Sequence, residues 1–193
     1  MLDREPIIKL DYPKERITNQ EFKEALAFYE EHRPAFIKSA ALCRDKAYSY
    51  REVPFKVGCA MVTISPNVPK GEYEVYQSYN FTPSGKLRKD WRKRCAERSA
   101  VHAAIDKKVK YIVALVTVSG ETDTGDENNK STDVLHPCLD CRNMLRELKE
   151  SGLVDNRTII CNANDTKKAN NREGVVFEER NLKDFLELYK DDE

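Results

Sequence analysis

Two short cysteine segments, and the run between them, constrain this chain more than any other feature. Cys95-Ala96-Glu97-Arg98 and Pro137-Cys138-Leu139-Asp140-Cys141 each stand where a loop gives way to a helical pattern, and the almost wholly apolar residues 111–118 lie between them. That run is rich in β-branched side chains and short, as a strand buried on both faces should be. A strand of this kind needs helices on either side. One is expected over residues 95–107. Another should run from Pro137 to about Glu150, with proline at its start and Gly152 past its end.

The remaining elements follow from periodicity and punctuation. Residues 18–47 carry Phe22, Ala25, Leu26, Phe28 and Tyr29, then Phe36, Ile37, Ala40 and Ala41, at helical spacing. Thr18 and Glu21 have capping-box spacing, and Pro34 is expected to kink the segment or divide it into two helices. Residues 57–65 and 72–80 read as strands whose link at 66–71 is too short for a crossover, so they should form a hairpin. Residues 157–163 and 175–178 are two more strands. Only about ten polar residues separate them, fewer than a parallel crossover needs, so they should be antiparallel. A closing helix is expected over 182–189. Residues 120–133 are polar and turn-rich and read as an insertion. The expected organisation is an N-terminal extension over 1–17 and a single domain over 18–193. Its fold class is α/β, a three-layer α/β/α sandwich around a mixed five-stranded sheet.

Composition narrows the function. The 193 residues carry 33 basic and 33 acidic side chains, so a nucleic-acid role would have to rest on a local patch. No stretch approaches the ~18 apolar residues of a membrane span, and residues 1–5 lack the apolar run of a signal peptide. A cytoplasmic location is the expectation. There, six cysteines are better explained by metal or catalytic use than by disulfides. Cys59 and Cys161 sit inside apolar strands and Cys43 at a helix end, as small core residues do. Three remain.

Cys138 and Cys141 are one helical turn apart and can reach one metal. The helix start lowers their pKa and favours thiolates. Alone, the pair would look the same in a thioredoxin-like redox dithiol; a zinc ribbon would need a second Cys-x-x-Cys, which is absent. Cys95 adds a third ligand and leaves a fourth position for water, as catalytic zinc sites do. Glu97 is not required to bind zinc, but it is placed to accept the proton of a zinc-acidified water. Zinc nucleobase deaminases combine such ligands with a carboxylate that does not ligate.

With these residues in view, the chain resembles the cytidine deaminase family, including its blasticidin S deaminase relatives. The likeness spans residues 24–189. It is carried by Cys95-Ala96-Glu97-Arg98-Ser99-Ala100 and by Pro137-Cys138 through Cys141-Arg142, and more loosely by Phe55-Lys56-Val57-Gly58-Cys59-Ala60 and by Phe177-Glu178 to Leu186. The resemblance implies a sheet of order 2-1-3-4-5 with the last two strands antiparallel. It implies Zn2+ on Cys95, Cys138 and Cys141, Glu97 as the catalytic proton carrier, and Arg98 offsetting the charge of three thiolates. It also matches Phe55 and Asn80 to substrate-binding positions. Where the family holds ribose with a glutamate, this chain has Thr82, a hydroxyl that cannot replace a carboxylate accepting two sugar hydroxyls. A homo-oligomer, dimer or tetramer, is implied as well.

The function expected is hydrolytic deamination of a small-molecule, cytosine-type nucleoside, nucleotide or related amine. Two alternatives stand beside it. One is a nucleic-acid cytosine deaminase: residues 86–94 hold six basic side chains and the single tryptophan, Trp91, which would suit single-stranded nucleic acid as well as a nucleotide phosphate. A zinc-stabilised binding protein without catalysis is the other. His136, directly before Pro137, reads as a strand-end residue or a neighbour of the metal ligands. His32 and His102 read as helix-face residues.

Overall fold

In the computed structural model, which describes residues 17–47, 56–81, 95–119, 134–164 and 175–190, the first element is α1 (Asn19–Arg44). Its capping box forms as the spacing predicts. Thr18 Oγ1 accepts from the Glu21 amide at 3.1 Å, and the Glu21 carboxylate accepts from the Thr18 amide at 2.7 Å. The segment does not divide at Pro34; the helix runs through it. An internal proline costs about 3 kcal/mol. Burial of Phe22, Ala25 and Tyr29 before it, and of Phe36, Ile37 and Ala40 after it, holds both halves on one sheet and offsets that cost.

The sheet contains β1 (Val57–Ile64), β2 (Glu74–Tyr79), β3 (Tyr111–Ser119), β4 (Ile159–Asn164) and β5 (Val176–Asn181) in the order β2-β1-β3-β4-β5. β3 and β4 are parallel, and every other pairing is antiparallel. The hairpin at one edge and the antiparallel closing pair at the other are as the link lengths require. β5 runs three residues past the expected 175–178, because Glu179, Arg180 and Asn181 sit on an edge strand, where charged side chains are tolerated. Asn181 then caps α4 (Leu182–Glu187) through the Asp184 amide at 2.9 Å.

α2 (Ala96–Asp106), α3 (Leu139–Ser151) and α4 cover one face of the sheet, and α1 covers the other. Alternation sorts the strands: Cys59, Met61, Leu115 and Ile160 face the three helices, while Ala60, Val62, Val116 and Cys161 face α1. A bulge interrupts the β1–β3 register, leaving Val113 and Ala114 both on the α1 side. α1 lies so close to β1 that a Cβ on Gly58 would stand 1.8 Å from the Ala40 carbonyl oxygen. At the far edge α1 is tied to β5, where Glu179 accepts from the Tyr29 hydroxyl at 2.6 Å and pairs with the Arg33 guanidinium at 2.9 Å. Among the described residues, no helix is long and apolar enough to cross a membrane.

Candidate metal centre and cleft

β2, β3 and β4 point the same way, since β2 and β3 each run antiparallel to β1 and β3 is parallel to β4. α2 follows β2 and α3 follows β3, so both helices begin beyond the C-terminal ends of these strands, where α/β folds place ligands. The face under the helices changes character towards that end. One row across the sheet is Tyr76, Met61, Leu115 and Ile160; two residues further on, the same face carries Ser78, Cys59, Thr117, Asn162 and Glu178. The polar members are used: Ser78 Oγ donates to the Ala96 carbonyl at 2.5 Å, and Thr117 Oγ1 donates to Asn162 Oδ1 at 2.7 Å.

Cys95 is the N-cap of α2 and Cys138 the N-cap of α3, each with extended backbone. Pro137 favours that conformation nearby and cannot be drawn into the helical ladder. Cys141 follows in the first turn of α3. The three sulfur atoms lie within 4.8 Å of one another, and Cys95 Sγ is 3.5 Å from Cys138 Sγ. Three sulfurs on a tetrahedral ion with bonds of ~2.3 Å would be ~3.8 Å apart. The donor set therefore fits a thiophilic divalent ion such as zinc.

The electrostatics of the bare thiols point the same way. Cys138 ionises first, because the Cys141 and Cys95 thiols and the Cys141 and Asp140 amides all favour its thiolate, holding its pKa far below the ordinary thiol value. That thiolate, with burial and the Glu97 carboxylate, pushes Cys95 up to about 12 and Cys141 further still. Three adjacent thiols cannot all ionise unless a cation stands among them; a divalent ion reverses this balance. Cys59, fully buried with Glu97 near it, is pushed well above the ordinary value and stays a neutral core thiol.

Glu97 is 7% exposed in the first turn of α2. It lines a cleft of about 210 Å³ together with Cys95, Cys138, Asn80, Val57, Ala96, Leu135 and His136. Asn80 closes the β1–β2 pairing, accepting from the Val57 amide at 2.7 Å while its own amide donates to the Val57 carbonyl at 3.0 Å. It is thus both a strand-closing residue and a wall of the cleft. Arg98 extends from α2 towards Asp140, between the two cysteines of α3, with Nη2 4.0 Å from Oδ2. Its Nε is buried without a hydrogen-bond partner among the described residues. Phe55, Thr82, the basic residues 86–94 with Trp91, and residues 120–133 lie outside the described residues.

The sequence reads His136 as a strand-end residue or a neighbour of the cysteines, and it shares the cleft with Cys95 and Cys138; Leu135 is not singled out by the sequence. His136 is a wall of the cleft, and its ring nitrogens are bonded to the Tyr189 hydroxyl and, at 3.0 Å, to Glu178 Oε2. Glu178 lies in β5 and Tyr189 in the turn after α4, 42 and 53 residues away in sequence, and no local pattern links them to His136.

No protein-family model matches this sequence, and no curated protein matches it. Among solved structures, a cytidine deaminase from Burkholderia pseudomallei superposes with a TM-score of 0.52 at 22% identity, covering 78% of this chain and 93% of that one. Cytidine deaminases from Mycobacterium tuberculosis (17% identity, TM-score 0.43, 80% and 93% covered) and Mycobacterium leprae (19%, 0.40, 75% and 92%) are more distantly similar. This chain has a cytidine deaminase-like fold; the first superposition and the strand order carry that statement.

Proposed function

We propose that this protein is a zinc-dependent hydrolase that removes the amino group of a cytosine-type base on a nucleoside, nucleotide or related small amine, releasing ammonia. The observation that carries the reading is that Cys95 and Cys138 share one cleft with a buried carboxylate, Glu97, and that Cys141 completes their sulfur cluster. Three cysteines would hold the ion and leave it open to further coordination, the arrangement of catalytic rather than structural zinc. When bound, zinc supplies a Lewis acid that lets water act as a nucleophile near neutral pH.

The chain's own residues do the rest. Glu97, shielded from solvent, accepts a proton from the attacking water. It returns protons to the ring nitrogen and to the amine that leaves as ammonia. Arg98 offsets the negative charge that three thiolates leave on a divalent centre. Asn80, oriented by Val57, supports the ring at the wall of the cleft, and Phe55 and Thr82 complete the substrate set. Thr82 is a neutral hydroxyl, so the sugar is held more loosely than by a carboxylate. The active form is a homo-oligomer. The cytidine deaminase named above shares the fold and supports a nucleoside as the first substrate to test.

The test is ammonia release by zinc-loaded protein from cytidine, deoxycytidine, their 5′-monophosphates, blasticidin S and a short cytosine-containing oligonucleotide. Turnover of one or more small molecules is expected, lost on chelation and restored by one zinc per chain. Turnover of the oligonucleotide alone would shift the reading to nucleic-acid editing. Zinc binding without any turnover would leave a zinc-stabilised binding protein.

A further inference from the structure

A histidine beside three cysteines is the donor that would close a zinc site into its structural, four-ligand form. His136 is such a histidine. It stands two residues before Cys138, and the two line the same cleft. The residue before a proline is held to extended backbone, and Cys138 is itself extended. Side chains two apart on extended chain point the same way.

Yet both ring nitrogens are engaged elsewhere. A carboxylate only accepts, so in the neutral ring Nε2 donates to Glu178 Oε2 and Nδ1 accepts from the Tyr189 hydroxyl. The partners are themselves held. Arg180 Nε donates to the other oxygen of Glu178. The Arg142 guanidinium lies 4.1 Å over the Tyr189 ring while its Nη1 donates to the Pro137 carbonyl at 3.1 Å. His136, Pro137, Arg142 and Tyr189 therefore close a ring of contacts, and Arg142 is the residue after Cys141. No helix or strand includes residues 134–138, so this ring does for them what backbone ladders do elsewhere.

We propose that Glu178 and Tyr189 form a clamp that keeps His136 out of the metal's ligand set, leaving a centre of three cysteines open for chemistry. His136 is thus a positioning residue of the cleft. The inference rests on reading the cysteines as a metal centre, and its test separates the two.

Cobalt(II) is added to metal-free protein and the visible absorption spectrum recorded for the wild type, Tyr189→Phe, Glu178→Ala, the double variant, and the double variant carrying His136→Ala. Tyr189→Phe removes only a hydroxyl and keeps the ring under Arg142, so it carries the test even if the double variant does not fold. Breaking the clamp is expected to shift the ligand-field bands as a nitrogen donor replaces solvent, and to lower turnover by about 10–100-fold. Removing His136 in the same background should return the bands to their wild-type positions. Spectra unchanged by either clamp variant, or a shift that survives His136→Ala, would overturn the clamp and leave the metal centre standing. Failure of the wild type to bind cobalt at all would overturn both.

Discussion

Glu97 sits in the first turn of α2 with almost no solvent around it, and its charge is felt by Cys95, Cys141 and Cys59. On the proposed reading Glu97 carries protons without ligating the ion, so replacing it leaves the three thiols intact. Glu97→Gln is therefore expected to lower kcat by ~10²–10⁴-fold while zinc content, measured by atomic absorption, stays at one per chain. Loss of zinc together with activity would instead make Glu97 a structural member of the centre. At this scale the sequence was legible where residues are close together. Cys138 and Cys141 declare themselves by spacing, and Glu97 by standing two residues after Cys95. Thr117, Asn162 and Glu178 did not, although they form one polar row beside the site. Each comes from a different strand, and only strand register brings them side by side.

Among the elements, the contact between α1 and β1 is the tightest test of the packing. A methyl group on Gly58 would meet three backbone atoms, the Ala40 oxygen at 1.8 Å, the Arg44 nitrogen at 2.4 Å and the Ala40 carbonyl carbon at 2.9 Å, and none can swing aside. Gly58→Ala should therefore destabilise the fold by about 3 kcal/mol, read as a lower urea midpoint at unchanged m-value; a midpoint equal to the wild type would mean that α1 can lift from the sheet without loss. The α3–β4 connection gives a pH prediction. Burial tends to raise the Asp155 carboxyl, but hydrogen bonds from the Arg157 guanidinium and amide outweigh it and hold it below the ordinary value. A carboxyl with a depressed folded pKa adds stability above its unfolded pKa and loses it as pH falls through the folded one. Thermal midpoints of Asp155→Asn should thus fall less steeply than those of the wild type below about pH 4. Parallel slopes would show that other carboxylates set the acid limit. Most element boundaries could be read from periodicity, capping box and link length. The end of β5 could not, because sheet pairing carried a strand into charged residues, and at Pro34 tertiary burial decided between one helix and two.

For the molecule as a whole, the centre joins the starts of α2 and α3, whose cysteines Cys95 and Cys138 are 43 residues apart in the chain. An ion held there binds the folded chain and not the unfolded one, and at a thousandfold excess over Kd this adds about 4 kcal/mol. Chelation should therefore lower Tm in differential scanning fluorimetry, and zinc should restore it. A Tm indifferent to the chelator would show that the thiols hold no ion under those conditions. The sequence by itself determined the strand and helix succession, the direction of the two edge strands and which three cysteines come together. Those properties are local: they follow from hydrophobic period, link length and residue chemistry. The tertiary structure alone decided that Asn80 and His136 share a cleft with Glu97, and that Glu178 and Tyr189 engage both nitrogens of the histidine. These depend on strand order and helix docking, through which residues dozens of positions apart come within a hydrogen bond of each other.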